Sequence, residues 1–370
     1  MRIVITGADG FIGKNLRCRL RECGYTDIVG VTEDTSQGSL LESLASADFV
    51  FHLAGVNRPQ SIDEFVAGNV GFTSRLCEAL GCGKSRAPIL FSSSIQASLD
   101  NPYGRSKLAA EGVLQEYGAR TGTPVHIVRL PNVFGKWALP NYNSAVATFC
   151  YNISRGLPIN VIDPSAQLLL AYIDDVVEAF ISVLPSPSLG GGYGEVAPIY
   201  HTRVGEVAEI LLGFAESRQT LFCDGVGVGL RRALYATYVS YLPEGNFSYE
   251  LKRHVDPRGE FVEMFKTSVS GQVSYFTAHP GVTRGDHYHH TKTEKFLVIR
   301  GTAQFSFRQI ISGEAHSFTV RGEDSRVVES VPGWAHSIRN VGLEELIVML
   351  WANEVFDAGK PDTIPMKAEV

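Results

Sequence analysis

The chain has 370 residues, a net charge of −6, 44% hydrophobic residues and 19% charged residues. These values are typical of an ordinary soluble protein with room for two domains. The acidic balance and the lack of a basic cluster argue against a nucleic-acid partner, and no apolar run approaches the ~18 residues needed for membrane insertion. The six cysteines form no C-x-x-C pair, so we expect reduced thiols in a cytoplasmic protein.

Short apolar strands alternate with helical patterns in the first part of the chain. The first strand begins at once, so we interpret residues 1–5 as core rather than as a signal peptide. The predicted strands are residues 2–6, 28–32, 49–53, 89–92 and 125–130. The predicted helices are residues 11–23, 70–80, 103–117, 204–215 and 231–241. This alternation predicts a parallel sheet covered on both faces, a Rossmann-type α/β domain over residues 1–246.

The pattern of hydrophobic and turn residues changes after residue 246. Short alternating strands follow, punctuated by Gly, Pro and Asp. They are predicted at residues 261–266, 272–277, 295–300, 302–308, 316–320, 326–329 and 346–351. This pattern is typical of a small antiparallel barrel or sandwich, so we expect an all-β domain over residues 247–370.

A glycine-rich turn connects the first predicted strand to the first predicted helix. Gly7, Gly10 and Gly13 let the backbone approach a pyrophosphate, which then meets the positive end of that helix. Glu33 lies about 20 residues beyond Gly13, where an acidic residue bonds the ribose 2′-hydroxyl and favours NAD over NADP. The alternative is that Glu33 belongs to a solvated loop.

Tyr103 and Lys107 carry the catalytic signal of this domain. Side chains four residues apart on a helix share one face. An ammonium group near a phenol is expected to lower the phenol's pKa from ~10 and to make it a usable proton donor or acceptor. Ser92, Ser93 and Ser94 end the fourth predicted strand and can supply a hydroxyl to the substrate carbonyl.

A group of metal-ligating residue types lies in the second half. His287 and His289 are two residues apart, so both imidazoles point to one face of an extended strand. Glu294 and His336 follow. Three imidazoles and a carboxylate suit a divalent first-row metal.

The first ~245 residues resemble the extended short-chain dehydrogenase/reductase family. The motifs that match are Thr6-Gly7-x-x-Gly10-x-x-Gly13, His52-Leu53-Ala54-Gly55, Asn69, Ser92-Ser93-Ser94, Tyr103-x-x-x-Lys107, Arg129-Leu130-Pro131-Asn132-Val133-Phe134-Gly135 and Tyr172-Ile173-Asp174-Asp175-Val176. The resemblance implies a nucleotide-sugar substrate, with Asn132, Lys136 and Asn143 near it. It also implies cofactor contacts from Gly7, Gly10, Phe11, Ile12, Gly13, Glu33, Leu53, Ala54, Gly55, Asn69, Tyr103 and Lys107.

The resemblance implies Ser94, Tyr103 and Lys107 as the catalytic residues. One departure from the family leaves the serine open, because only eight residues separate Ser94 from Tyr103. Relatives usually have a longer loop there, so Ser93 and Ser98 remain alternatives.

Residues 250–370 resemble a cupin, an all-β jelly-roll barrel. The matching motifs are Gly281-x5-His287-x-His289-x4-Glu294-x6-Gly301 and Pro332-Gly333-Trp334-Ala335-His336-x3-Asn340. The resemblance implies His287, His289, Glu294 and His336 as ligands of one divalent metal, with zinc as first choice. We expect His290 to point away from the site. The alternative is a metal-free barrel that shapes a sugar pocket.

The whole chain resembles the bifunctional capsular-polysaccharide enzymes of the CapF/WbjC type. Matching stretches are Ala54-Gly55-Val56-Asn57-Arg58-Pro59, Phe134-Gly135-Lys136-Trp137, Pro140-Asn141-Tyr142-Asn143-Ser144, His289-His290-Thr291-Lys292 and Glu294-Lys295-Phe296. The resemblance implies C3 epimerisation of a UDP-2-acetamido-2,6-dideoxy-4-hexulose by the cupin. The reductase would then reduce C4 to give UDP-2-acetamido-2,6-dideoxy-L-talose, in UDP-N-acetyl-L-fucosamine synthesis.

Several alternatives stay open at this point. The resemblance implies NADPH, whereas Glu33 favours NADH. The cupin could be only a structural, oligomerisation or ligand-sensing module, or the chain could be an epimerase or dehydratase that recycles its nicotinamide. The base of the epimerisation is undetermined among Lys266, Tyr275, His290 and Lys292. A homodimer is the expected assembly.

Overall fold

The computed structural model describes residues 1–82, 86–187, 191–359 and 361–369. Two compact units divide the chain. The first contains residues 1–212 and 227–243, and the second contains residues 213–226 and 244–370. Residues 213–226 therefore pack with the second unit although they precede its main segment.

A parallel sheet forms the centre of the first unit. Its strands follow the order β2-β1-β3-β4-β5-β8, and a smaller sheet has the order β6-β7-β9. The nine strands are β1 (Ile3–Thr6), β2 (Ile28–Val31), β3 (Phe49–His52), β4 (Ile89–Ser94), β5 (Val125–Leu130), β6 (Asn132–Phe134), β7 (Gln167–Tyr172), β8 (Gly192–Gly194) and β9 (Tyr200–Arg203). The chain leaves β1 towards β2 on one side and later returns to β3 on the other. Such a switch point creates a crevice at the carboxyl ends of the strands.

Helices connect these strands, as the alternating pattern predicted. They are α1 (Phe11–Glu22), α2 (Gln37–Ala45), α3 (Ile62–Phe65), α4 (Phe72–Cys82), α5 (Pro102–Thr121), α6 (Ala145–Ile153), α7 (Ile173–Ile181), α8 (Val204–Thr220) and α9 (Gly229–Ser240). A π-helical turn, Val66–Gly71, precedes α4, so regular helix begins later there than the pattern predicted. Val4, Val50 and Ile89 of the sheet share one buried core with Leu80 and Leu114 of the covering helices.

Antiparallel strands make up most of the second unit. They are β10 (Arg253–Asp256), β11 (Gly259–Thr267), β12 (Gly271–Ala278), β13 (Thr283–Tyr288), β14 (Glu294–Arg300), β15 (Thr302–Gln309), β16 (Ala315–Arg321), β17 (Val327–Glu329), β18 (Trp334–Asn340), β19 (Leu346–Ala352) and β20 (Ile364–Pro365). They form two sheets, of order β10-β11-β12-β19-β14-β17 and β16-β15-β18-β13-β20. Phe276, Phe296 and Val348 of the first sheet pack with Phe305 and Ile338 of the second to form one core.

The prediction of a Rossmann-type sheet followed by an antiparallel all-β cupin architecture is confirmed. The elements that were not predicted are helices α2, α3, α6 and α7 and strands β6, β7, β8, β9, β10, β18 and β20. Cys18, Cys23, Cys77, Cys150 and Cys223 are free thiols, and the side chain of Cys82 lies outside the described part. Among the described residues, none of the helices has both the length and the apolar composition needed to cross a membrane.

The start of α5 packs closely on the short loop that precedes it. The side chain of Asn101 caps this helix, since its Oδ1 accepts from the amide of Gly104 at 2.8 Å. A Cβ on Gly104 would lie 2.1 Å from the carbonyl oxygen of Gln96 and 2.6 Å from that of Leu99. Glycine is therefore required at position 104 for the start of α5 to lie this close to the loop. This close packing lets only eight residues connect Ser94 to Tyr103.

We expect Gly104→Ala to lower the free energy of unfolding by about 1–3 kcal/mol, because backbone would have to move away from the new methyl group. Gly112 is the matched control, since it lies on the same helix with open space around its missing Cβ. Gly112→Ala should raise stability by about 0.5–1 kcal/mol through helix propensity. Urea denaturation of both variants measures the difference, and equal effects would contradict the close packing.

Candidate active sites

A cleft of about 490 Å³ lies in the first unit at the carboxyl ends of β1, β3 and β4. It is lined by the glycine turn, by the loops that follow β3 and β4, and by residues of α5 and of the segment after β5. The predicted site residues that line it are Gly7, Gly10, Phe11, Ile12, Gly13, Leu53, Gly55, Ser94, Tyr103, Lys107, Asn132 and Asn143. The structure therefore brings most of the predicted residues to one place.

The glycine turn holds the start of α1 against β1 and β3. Gly7 has φ = 68° and a Cβ there would lie 2.8 Å from the amide nitrogen of Ala54. A Cβ on Gly13 would lie 2.3 Å from the carbonyl oxygen of Gly7. Because α1 begins at Phe11, its free amide groups face the cleft, where they can bind a pyrophosphate.

His52 connects the glycine turn to the helix behind the cleft. Its ring is buried between Thr6, at 2.8 Å from Nδ1, and Thr73, at 2.9 Å from Nε2. Thr73 donates to the carbonyl of Asn69, so it accepts from Nε2–H. Thr6 therefore donates to Nδ1, while its oxygen accepts from the amide of Ala54. Burial, with the nearby Lys107, lowers the pKa of His52 to about 3, so the ring is neutral at physiological pH.

Asn69 fixes the loop after β3. It lies on the π-helical turn, a feature that often marks functional sites. Its Oδ1 accepts from the amide of Val56 at 2.8 Å, and its Nδ2 donates to the carbonyl of Val56 and to Ser106. A Cβ on Gly55 would lie 2.8 Å from Oδ1. Asn69 and Ala54 thus position the loop from behind rather than line the cleft.

Ser94, Tyr103 and Lys107 meet in the cleft. Lys107 is buried and its Nζ donates to the carbonyl of Ser92 at 2.8 Å. Burial lowers the pKa of Lys107 to about 8, although Glu111 opposes the shift. The expected lowering of the Tyr103 pKa is wrong for this arrangement. Burial raises that pKa, and a hydrogen bond with Ser94 only partly offsets the rise.

The other two candidate serines have different partners. Ser93 donates to the buried carboxylate of Glu111, which also receives Arg129 at 2.9 and 2.7 Å and the hydroxyl of Tyr193 at 2.9 Å. Although burial opposes ionisation, these bonds lower the pKa of Glu111. Ser98 is exposed and donates to the carbonyl of Ile95. Of the three serines, Ser94 is the one bonded to Tyr103.

Besides Ala54 and Asn69, two more predicted residues lie away from the cleft lining. Lys136 forms an ion pair with Asp174, in a neighbouring polar cavity beside α1 and α7. Glu33 is exposed beyond the end of β2. Arg17, which the sequence could not place, lies between the glycine turn and β2. Its Nη1 is 2.9 Å from Asp9 and would be 3.8 Å from a Cβ on Gly30.

Four metal-ligating side chains converge in the second unit. The ligand atoms of His287, His289, Glu294 and His336 all lie within 4.8 Å of one another. His287 and His336 are cross-strand partners on β13 and β18, and their ring centroids are 4.7 Å apart. His289 follows β13 directly, and Glu294 begins β14. These are the four residues that the motif spacing indicated.

The hydrogen bonding of this cluster fits a bound cation. The Nδ1 of His289 donates to the carbonyl of Asp362, so a neutral ring presents a lone pair at Nε2. That nitrogen lies 3.2 Å from Oε2 of Glu294, and the Nε2 of His336 lies 3.3 Å from the same oxygen. Acceptors that face one another repel unless a positive charge lies between them.

His336 and His287 support the same interpretation. Both ring nitrogens of His336 are buried without a hydrogen bond to any described residue, and such atoms usually have a partner. Burial lowers the pKa of His287 to about 4, which leaves the neutral, ligating form at pH 7. The donor set therefore fits a divalent metal.

Asp362 orients the cluster from the C-terminal segment. Its carboxylate accepts from the amides of His290, Thr291 and Lys292 at 2.9, 2.7 and 2.9 Å, while its carbonyl accepts from His289. Such contacts fix the ring that ligates a metal. The sequence reasoning missed Asp362, because it lies 73 residues after His289 and matches neither motif.

One of the four candidate bases contacts the cluster. The Nζ of Lys292 lies 3.3 Å from Oε1 of Glu294, and its side chain is buried. Lys266 instead pairs with Glu263 at 3.0 Å. His290 is exposed and is not among the clustered ligand atoms, as its strand position predicted.

Comparisons with known proteins agree with both units. Residues 3–196 match the NAD dependent epimerase/dehydratase family, and residues 254–364 match the Polysaccharide biosynthesis C-terminal domain. A UDP-2-acetamido-2,6-beta-L-arabino-hexul-4-ose reductase of Pseudomonas aeruginosa is 54% identical over 363 residues, which cover 98% of each chain.

Solved structures extend the likeness to the whole fold. The crystal structure of the capsular polysaccharide assembling protein CapF from Staphylococcus aureus has a TM-score of 0.93 at 42% identity, covering 99% of this chain and 100% of that one. A structure of MoeE5 with UDP-glucose and NAD covers 65% of this chain and 98% of that one, with a TM-score of 0.55 at 22% identity, and shows the fold alone. The chain therefore belongs to the NAD dependent epimerase/dehydratase family, as an NAD(P)-dependent enzyme of the CapF type that carries a polysaccharide biosynthesis C-terminal domain.

Proposed function

We propose that the chain converts a UDP-2-acetamido-2,6-dideoxy-4-hexulose in two steps, C3 epimerisation at the cupin and C4 reduction at the Rossmann cleft. The product would be UDP-2-acetamido-2,6-dideoxy-L-talose, on the route to UDP-N-acetyl-L-fucosamine for capsule or O-antigen. The observation that carries the proposal is the presence of two complete sites, the Ser94–Tyr103–Lys107 cleft and the four-ligand cluster, in one chain 54% identical to a UDP-sugar 4-ketoreductase.

The reductase residues fit a proton-donating role. Reduced nicotinamide, when bound, supplies the hydride to C4. Tyr103 donates its hydroxyl proton to the oxygen at C4, a role open to it because the phenol is protonated near neutral pH. Ser94 bonds to Tyr103 and is placed to hold the substrate carbonyl. Lys107 contributes a buried positive charge at the same place.

The cupin cluster fits the other step. The 4-keto group acidifies the C3 proton, so a base can remove it and a proton can return on the opposite face. Negative charge develops on the oxygen at C4 while the C3 proton is absent. A divalent cation held by His287, His289, Glu294 and His336 would supply a positive charge that stabilises such an oxyanion. We propose zinc, which tetrahedral nitrogen and oxygen ligands suit.

The remaining assignments are also proposals. Cofactor contacts come from the residues of the glycine turn and from Leu53 and Gly55, with Asn69 and Ala54 behind them. Asn132 and Asn143 bind the sugar nucleotide, and Lys136 would have to leave Asp174 to join them. The free thiols suit the cytoplasm, a domain boundary near residue 246 follows the change of architecture, and a homodimer follows the usual symmetry of such enzymes.

We expect Tyr103→Phe to lower the rate of C4 reduction by about 10²–10⁴-fold, because hydride would arrive with no proton donor at oxygen. C3 epimerisation should survive, since its residues lie in the other unit. NADPH oxidation and deuterium incorporation at C3 measure the two steps on the same 4-keto UDP-sugar. Near-normal NADPH oxidation would remove Tyr103 from this role.

Arg17 supports NADPH as the preferred cofactor. Its guanidinium lies beside the glycine turn and β2, where a ribose 2′-phosphate is expected, whereas Glu33 is exposed beyond the strand. Arg19, on the same helix, pairs instead with Glu178 at 2.5 Å and with Glu22 at 3.2 Å. Arg17 also forms an ion pair, with Asp9 of the glycine turn at 2.9 Å, so the two arginines differ in the site beside which their ion pairs lie.

Arg17→Gln should lower kcat/KM with NADPH by about 10–100-fold, because a hydrogen bond to a charged phosphate is lost. The value with NADH should change little, and Arg19→Gln should leave both values near those of the wild type. Steady-state kinetics with each cofactor test this. A wild-type preference for NADH would show that Glu33 decides the cofactor.

His289→Ala should abolish stoichiometric metal binding and lower the thermal stability of the second unit, because metal binding is coupled to folding. Asp362→Ala keeps all four ligands and should weaken metal binding by about 10–100-fold. Asp357→Ala is the control, since that carboxylate accepts from Gly359 in the same segment. Elemental analysis and competition with a chromophoric chelator measure the effects.

Nicotinamide binding should persist in His289→Ala, which distinguishes loss of metal from global unfolding. Wild-type protein without stoichiometric transition metal, even after zinc supplementation, would make the cluster a metal-free sugar site. A cupin that serves only as a structural module would retain the metal but would not exchange the C3 hydrogen with solvent.

A further inference from the structure

A second cavity lies in the cupin unit, outside the four-ligand cluster. Its volume is about 740 Å³, within the range of small-molecule sites. The edge strands of the two sheets, β16 and β17, contribute to its walls together with β14, β15 and β18. The lining combines aromatic rings with cationic side chains, namely Phe307, His316, Phe318, Trp334, Lys295 and Arg326.

A row of cross-strand partners connects the cluster to this cavity. His287 pairs with His336, His336 with Phe307, and Phe307 with His316. Directly opposed residues of antiparallel strands project from the same face of a sheet. The successive ring centroids are 4.7, 6.4 and 5.5 Å apart. A row of rings therefore leads along one face of this sheet from the buried His336 of the cluster to the exposed His316 of the cavity.

The rings of the cavity offer stacking surfaces. The centroid of His316 lies 5.6 Å from that of Phe318 and 6.3 Å from that of Trp334. Val327 and Val331, which are 53% and 49% exposed, complete an open apolar wall. A planar base or the apolar face of a sugar ring can pack on such groups.

The charges of the cavity favour an anion. The guanidinium of Arg326 lies 4.7 Å from the Phe318 centroid, and none of the carboxylates in the described part forms an ion pair with it. Lys295 pairs with Glu329, so these two charges balance. Arg326 thus leaves the cavity with a net positive charge, which suits a phosphate.

We propose that this cavity binds the uridine diphosphate part of the substrate while the 4-keto sugar reaches the four-ligand cluster. The inference rests on the proposed function and assigns Arg326 to the diphosphate and Trp334 with His316 to the base. The observation that carries the proposal is the row of four rings on one face of one sheet. The row connects the cationic, aromatic cavity to the cluster where the sugar would react.

The experiment uses full-length protein and measures exchange of the C3 hydrogen of the 4-keto UDP-sugar with deuterium from solvent. Arg326→Gln should raise KM for this exchange by about 10–100-fold with a small change in kcat, because one charged contact to phosphate is lost. It should weaken inhibition of the exchange by UDP to the same extent. The control is Arg321→Gln, an exposed arginine on β16 that pairs with Glu323 at 3.6 Å.

Trp334→Ala provides a second variant, which should also raise KM for the exchange. Its fold is checked by metal content and by unchanged NADPH binding. UDP should also protect the amides of β16 and β17 from hydrogen exchange in the wild type and less so in Arg326→Gln. This readout does not depend on catalysis.

The outcomes separate the two proposals. Unchanged KM and unchanged UDP inhibition in both variants would overturn the cavity assignment while leaving the epimerisation intact. A variant that lowers the molecular mass in solution at constant KM would make the cavity an interface between copies and would also overturn it. A wild type that shows no C3 exchange would refute the proposed epimerisation. Protection of β16 and β17 by UDP would then show whether the cavity binds UDP, and lack of protection would overturn the assignment.

Discussion

A polar side chain buried away from water must find a partner, and both sites depend on how the chain meets this requirement. Around His52 in the first unit the requirement is met within the protein. The chain of hydrogen bonds from Ala54 through Thr6, His52 and Thr73 to Asn69 leaves both ring nitrogens of the histidine bonded and admits only one of its tautomers. Neutral groups thereby hold this side of the loop after β3, while the buried ammonium of Lys107 lies at the cleft itself.

The second unit meets the same requirement differently. Its histidines and Glu294 present acceptors to one another, and the two ring nitrogens of His336 have no hydrogen-bond partner among the described residues. An arrangement of this kind would destabilise the barrel unless a cation occupied it. The proposed stability of the cupin and its proposed chemistry therefore depend on the same ion. Asp362 contributes to both, because its carbonyl orients the ring of His289.

Much of this architecture could be predicted from local sequence. Strands β1, β3 and β5 are short apolar segments with turn residues beside them, and their positions agree with the prediction within about one residue. The four clustered residues also follow from the sequence, because His287 and His289 are two residues apart and all four match the two motifs. Each motif is itself a short local pattern.

The features that the sequence did not reveal depend on distant contacts or on burial. Ser93 differs from Ser94 because its hydroxyl donates to Glu111, on a helix that begins nine residues later. Asp362 acts on a loop about 70 residues earlier. The pKa of Tyr103 rises although a lysine lies one helical turn away, because burial raises it and the hydrogen bond with Ser94 offsets only part of the rise. The types and spacing of residues do not reveal how far folding removes a side chain from water.

The proposed chemistry also sets the order of the two steps. The proton at C3 is acidic only while C4 is a ketone, so epimerisation must precede reduction. Hydride addition then removes the carbonyl and fixes the configuration at C3. Tyr103, whose phenol is protonated near neutral pH, can supply the proton that the oxygen at C4 needs as hydride arrives. Reduction then ends the sequence, because the product has no ketone to acidify the C3 proton.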